Sequence, residues 1–312
     1  DGLGDAQLAH PAAAAFALGR RGALDAPFPT TTTVSLATIA TGLPPVRHGL
    51  IAYQLWLPRR TQVANTSKWT TLWGDPLGLD FAAFLPRPNL WERLAAAGVE
   101  PIVLQPLNFG GTSLSRVLYR GCRVESYSDP QEAVAAALQL VRPPRRLVLL
   151  YLPHLDFAAH VWGQVSEGYE AALRLIARAW EAMAAALPPG AAMVGTADHG
   201  HVDIPKDRQV RLGKAEHEGR IFYGDPRALF VKGDGASLAA DLPATWVPLD
   251  EMAGWWGPGR PHREFAGRAP DGVLFADPGC AVLHRFSDDR LIGQHGGLTE
   301  EELRIPLLVA GA

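Results

Sequence analysis

Asp198 and His199 stand where an apolar run, Ala191-Ala192-Met193-Val194, gives way to the stretch GTADHGHVDIP. A carboxylate and two imidazoles, His199 and His201, therefore crowd the end of an expected strand, the position where open α/β sheets place their ligand sites. A chain turning off a strand can aim both Asp198 and His199 at one ion; His201 is read as accessory or solvent-facing. A second pair follows another apolar run. In LPHLDFAAHVWG, Asp156 and His160 are four residues apart, so on a helical turn both project from one face and can grip one divalent cation. Alone, that spacing recurs by chance. His154 lies two residues before Asp156 and is read as a neighbour that supports the ligands.

Two further stretches belong with these. His295 is followed by Gly296-Gly297, whose freedom allows close backbone approach, although the histidine by itself is equally a turn residue. The stretch FPTTTTVSLATIATGLPPVRHG leads four threonines into a short helical pattern closed by Gly42. A hydroxyl at a helix N-terminus sits where free N–H groups and the dipole favour a phosphate, and the same residues also serve as turn and cap. With Asp1, these motifs supply a threonine, Asp156, His160, Asp198, His199 and His295: oxygen and nitrogen ligands without thiolate, enough for two metal ions. The set suits Zn²⁺ first, with Mn²⁺ and Mg²⁺ as alternatives. Two such ions can hold the attacking and leaving oxygens of a phosphoryl displacement.

The elements that must position these residues alternate between strand-length apolar runs and helical patterns. That order predicts an α/β fold with a largely parallel central sheet covered by helices on both faces. The strand candidates are 102–104, 147–152, 193–196, 273–275 and 305–309. A helix is expected from the cap Ser166 to Pro188, with Tyr169, Leu173, Ile176, Trp180, Met183 and Leu187 at helical spacing. Others are expected from Asp129-Pro130 to Val141 and from Leu90 to Ala97. Thr299 and the three glutamates after it read as a cap and acidic first turn. Residues 53–88, with Trp56, Trp69 and Trp73, and residues 203–265 look irregular and are expected as cap or insert loops on a single domain, 1–312. The tryptophans are expected to pack a cap, with stacking on a nucleobase as the alternative.

The 312 residues are 47% hydrophobic and 20% charged with net charge −3, which leaves no basic excess for a nucleic-acid duplex. Two cysteines, Cys122 and Cys280, exclude a disulfide scaffold and a thiolate cluster. No apolar run spans a membrane. No leader is visible, which predicts a cytoplasmic protein; the abrupt opening at Asp1 predicts a first strand trimmed away and leaves an exported form open.

In order, DGLG, FPTTTTVSLATIATGLPPVRHG, LDFAAHVWG, TADHG and HGGLTEEELRIPLL resemble the motifs of the alkaline phosphatase superfamily, and within it the type I phosphodiesterase/nucleotide pyrophosphatase family. The resemblance spans nearly the whole chain. It implies that Asp1, Asp198 and His199 bind one zinc together with the nucleophile Thr32, three residues after Pro29. Asp156, His160 and His295 would bind a second zinc. It further implies a phospho-threonine intermediate and a small phosphoester substrate, nucleotides included. Where many nucleotide pyrophosphatases are expected to hold a phosphate oxygen with Asn, three residues after the nucleophile, this chain has Ser35, which is assigned to substrate binding with a shorter reach. A phosphomonoesterase or phosphonate hydrolase with the same metals, or a non-catalytic module that holds phosphorylated ligands, remains the alternative. Oligomeric state is left open.

Overall fold

In the computed structural model, residues 1–80 and 83–311 are described. Three strands form a parallel sheet in the order Arg123–Tyr127, Glu100–Pro106, Arg146–Leu150. Helices join them: Ser113–Leu118 leads into the first, and Pro130–Leu140 crosses to Arg146–Leu150. The last of these strands delivers the chain to the helix His154–Trp162, which carries Asp156 and His160. The helix Glu167–Ala185 packs beside it, capped by Ser166, whose hydroxyl accepts from the Tyr169 amide as expected.

The largely parallel sheet is not found. Arg20–Asp25, Arg304–Gly311 and Ala192–Gly195 make a separate three-stranded sheet, antiparallel throughout. Ile221–Asp225, Ala228–Lys232, Gly272–Ala276 and Ala244–Pro248 make a four-stranded antiparallel sheet. The physical reason is the connections. A parallel pair needs a crossover of about a dozen residues, usually a helix. After Gly195 the described α-helices are single turns, Ala236–Ala239, Phe265–Arg268 and Glu300–Leu303, and the strands pair antiparallel there apart from the short parallel pair Gln209–Arg211 with Ala281–Leu283.

Residues 203–265 are therefore not irregular: they hold three strands of the antiparallel sheet. The signal was IFYGDPRALFVK, two apolar runs separated by a Gly-Asp-Pro turn, a hairpin pattern. In 53–88, of which 81 and 82 lie outside the described residues, Trp56 and Trp69 are buried in the largest apolar cluster, and Trp69 packs edge-on against Phe84. Trp73 is exposed, set against Phe286 and Arg285. Packing, not stacking on a ligand, accounts for the first two. Cys122 and Cys280 are free thiols. No helix among the described residues is long and apolar enough to cross a membrane.

Candidate metal centre

The helix Thr32–Thr41 begins the site. Thr31 precedes it in extended conformation, and Gly42 ends it at φ +64°, a left-handed turn that suits glycine. The four consecutive threonines Thr30–Thr33 at its start have different surroundings. Thr30 Oγ1 donates to the Gly297 carbonyl, Thr31 sits beside the buried Asp225 carboxyl, and Thr33 Oγ1 accepts from Thr66. Of these four, Thr32 places its hydroxyl on the imidazole cluster: Oγ1 lies 3.1 Å from His199 Nε2.

Asp1 and Asp198 meet that same nitrogen. Each uses one carboxylate oxygen on a protein donor, Asp1 Oδ2 on the Tyr151 hydroxyl and Asp198 Oδ1 on the Gly2 amide at 3.0 Å. The other oxygens, Asp1 Oδ1 and Asp198 Oδ2, are buried without a hydrogen-bond partner, and both lie 3.5 Å from His199 Nε2. Gly2 makes this approach feasible: a Cβ there would stand 2.9 Å from the Asp156 Cα and from His201 Nε2.

Three imidazoles share one orientation rule. His160 Nδ1 lies 2.7 Å from the Gly293 carbonyl, His199 Nδ1 3.0 Å from the Gly200 carbonyl and His295 Nδ1 2.8 Å from the Thr30 carbonyl. A carbonyl can only accept, so each Nδ1 carries the proton and each Nε2 keeps its lone pair for a ligand role. Burial first, then the neighbouring His199, His201 and His160, hold His295 well below the usual imidazole range, which keeps it neutral. His199 and His295 stack at 3.8 Å between ring centroids.

The donor atoms fall into groups that fit a cation: Asp1 with Asp198 and His199, and Asp156 with His160 and His295. These are the two sets expected from the sequence. A third grouping, Asp156 with His199 and His201, is also close enough. His201 is not solvent-facing; it is buried, 2.9 Å from Asp156 Oδ1, and burial pushes its imidazole down to about 4. The orphaned carboxylate oxygens and the uniform tautomers match oxygen/nitrogen coordination of one or two divalent ions.

The buried Ser35 hydroxyl donates to the Asp198 carbonyl at 2.7 Å, tying the helix Thr32–Thr41 to the strand end that carries Asp198. His154 lines the cleft, and its buried Nδ1 has no partner. His48 and His284 are buried core histidines bonded to Thr38 and Gln54. Tyr151 and Asp225 escaped sequence reading: Tyr151 meets Asp1, 150 positions away, and Asp225 meets Thr31 only once the sheets have packed. Asp225 lines the cleft beside Thr31, and burial pushes its carboxyl up to about 8.

Asp1, Thr32, Asp156, His160 and His295 open onto a cleft of about 1310 Å³. Its size and position suit a small-molecule ligand.

Comparisons agree with the fold. Murine ectonucleotide pyrophosphatase/phosphodiesterase 5 is similar at 19% identity and TM-score 0.76, over 100% of this chain and 86% of that one. The human counterpart is similar at 18% and 0.73, over the same shares of the two chains. Phosphonoacetate hydrolase from Sinorhizobium meliloti matches at 17% and 0.66, over 96% of this chain and 83% of that one. No curated protein sequence matches significantly. At these identities the structural likeness shows the fold; the sequence profile described as type I phosphodiesterase / nucleotide pyrophosphatase matches residues 13–298, and the chain belongs to that family.

Proposed function

We propose that the chain is a metal-dependent phosphohydrolase that cleaves a phosphodiester or pyrophosphate bond through a phospho-threonine at Thr32. The observation that carries this reading is the convergence of Thr32 Oγ1 and two orphaned carboxylate oxygens on His199 Nε2. Asp1, Thr32, Asp198 and His199 would hold one ion, and Asp156, His160 and His295 the other, Zn²⁺ ahead of Mn²⁺ or Mg²⁺. Bound there, the ions supply Lewis acidity and lower the pKa of hydroxyl groups beside them.

The chain's own residues do the rest. Thr32 Oγ1, at the start of its helix, loses its proton to solvent and attacks phosphorus while the bond from phosphorus to the leaving ester oxygen breaks, and that oxygen takes a proton from water. Water then cleaves the new oxygen–phosphorus bond and restores the hydroxyl. Unused amides of the helix's first turn offer donors to the phosphoryl oxygens. An inactive murine relative carrying a threonine-to-alanine substitution was solved with AMP, which supports a threonine nucleophile and a phosphoester ligand. The likeness to phosphonoacetate hydrolase favours a phosphonate substrate as the second reading.

The test compares two p-nitrophenyl esters, a phosphodiester and a phosphomonoester, with zinc-loaded protein and a chelator control. A chelator-sensitive preference for the diester of at least about tenfold in kcat/KM is expected. A monoester preference overturns the substrate class, and inertness toward both sends the test to phosphonates.

Tyr151 has a role in this scheme. Its phenol is held far above the usual tyrosine range by burial, then by the Asp198 and Asp156 charges, so it keeps its proton and donates to Asp1 Oδ2. That leaves Asp1 Oδ1 as the oxygen facing the ion. Tyr151→Phe is expected to weaken metal binding at the Asp1–Asp198–His199 site about 10- to 100-fold, measured by chelator competition. Unchanged affinity would show that Asp1 orients without it.

A further inference from the structure

One wall of the cleft is apolar and half open to solvent. On the helix that bears Asp156 and His160, Phe157 is 58% exposed and Trp162 is 49% exposed, large values for side chains of this size beside a polar centre. Their rings meet edge to face, 5.7 Å between centroids and 89° apart. Trp162 is held in place from behind. A Cβ at Gly168 would stand 2.5 Å from the indole, so glycine at that position lets the ring lie against the first turn of Glu167–Ala185. Ala171, Ala172 and Leu175 of that helix continue the lining.

We propose that this shelf seats an apolar ester arm of the substrate, alkyl or alkyl-aryl in character, while the phosphoryl group sits at Thr32. The inference rests on the phosphodiesterase reading and names its substrate class. Three observations favour an apolar arm over the alternatives. The shelf is continuous with the ligand cluster, because Phe157 follows Asp156 directly and lines the same cleft. Its two rings are perpendicular, so they present a corner backed by aliphatic side chains and not a parallel slot for a planar base. Away from the ligand groups, Lys68 is the one lysine or arginine among the described residues lining the cleft, and Asp288 sits on the same lining. The cleft wall thus offers little cationic side chain to a polyanionic arm.

The experiment uses three p-nitrophenyl phosphodiesters with a common leaving group and different second arms: methyl, n-octyl below its micelle threshold, and 5′-thymidyl. Each methylene fully seated on an apolar surface is worth a factor of about three to four, and a half-covered chain gains less. The octyl ester is therefore expected to exceed the methyl ester at least about tenfold in kcat/KM, and to exceed the thymidyl ester as well. Trp162→Ser and Phe157→Ser are each read by the octyl-to-methyl ratio on the same variant, which is expected to fall about three- to tenfold. Gly168→Ala removes no apolar surface but displaces the indole, and it should lower the ratio in the same direction. It also serves if a serine variant does not fold.

Equal rates for octyl and methyl arms would overturn the inference and leave the phosphodiesterase reading intact. A thymidyl preference would do the same and point to a nucleotide. A ratio that ignores all three variants, with a change in sedimentation mass in Trp162→Ser, would make the shelf a contact between copies and also overturn it. Hydrolysis of no diester, with the monoester cleaved, would instead be the failure of the phosphodiesterase reading.

Discussion

Thr32→Ala is expected to lower kcat by at least about a thousandfold while metal content stays near that of the unaltered protein. The four consecutive threonines look equivalent in the sequence, yet Thr30 is bonded to Gly297 and Thr33 to Thr66, and Thr31 faces the Asp225 carboxyl. Thr32 alone has its oxygen 3.1 Å from His199 Nε2, where Asp1 Oδ1 and Asp198 Oδ2 also point. Alanine removes the attacking oxygen and leaves Asp1, Asp198 and His199 to hold the ion. Steady-state turnover of the diester together with metal analysis checks this. Retained turnover would move the nucleophile to another hydroxyl, and loss of both turnover and metal would make Thr32 chiefly a ligand.

The largest stability effect is expected from Arg227→Met. Arg227 is 2% exposed and Glu302 is 0% exposed, and their charged groups lie 3.3 Å apart. The guanidinium also donates to the carbonyls of Ala276, Asp277 and Cys280. Glu302 in turn accepts from the Gly297 amide at 2.8 Å, from the Thr299 hydroxyl at 2.9 Å and, closing the capping box of Glu300–Leu303, from the Thr299 amide at 3.4 Å. The pair thus ties the antiparallel sheet to the loop that presents His295. Removing one partner leaves a buried, uncompensated carboxylate, and such changes cost about 3–5 kcal/mol. Urea denaturation should show that loss, and Arg227→Met combined with Glu302→Leu should recover part of it. A loss below about 1 kcal/mol would mean that water reaches the carboxylate in the variant.

Much of the local structure was legible because it depends on neighbours in the chain. Ser166, Asp129-Pro130 and Thr299 start helices where their side chains can accept from the first-turn amides, and Gly42 ends one where a left-handed residue is needed. Asp156 and His160 share a helical face because four residues are about one turn. The sheet directions were not legible. Apolar runs specify strands, but whether a strand joins parallel or antiparallel depends on its connection, and the chain after Gly195 lacks long crossover helices.

By itself, the sequence determined the ligand types, their order along the chain and the elements that carry them, since periodicity, caps and turns act over a few residues. Only the tertiary structure decided which atoms meet. It set which oxygen of Asp1 and of Asp198 stays free, which nitrogen of each histidine is open, which threonine faces them, and that Ser35 bonds the strand end. It also placed Phe157 and Trp162 at the open wall of the cleft. The reason is range: Gly2 bonds Asp198 across 196 positions and His295 bonds Thr30 across 265, contacts that exist only once the sheets have packed.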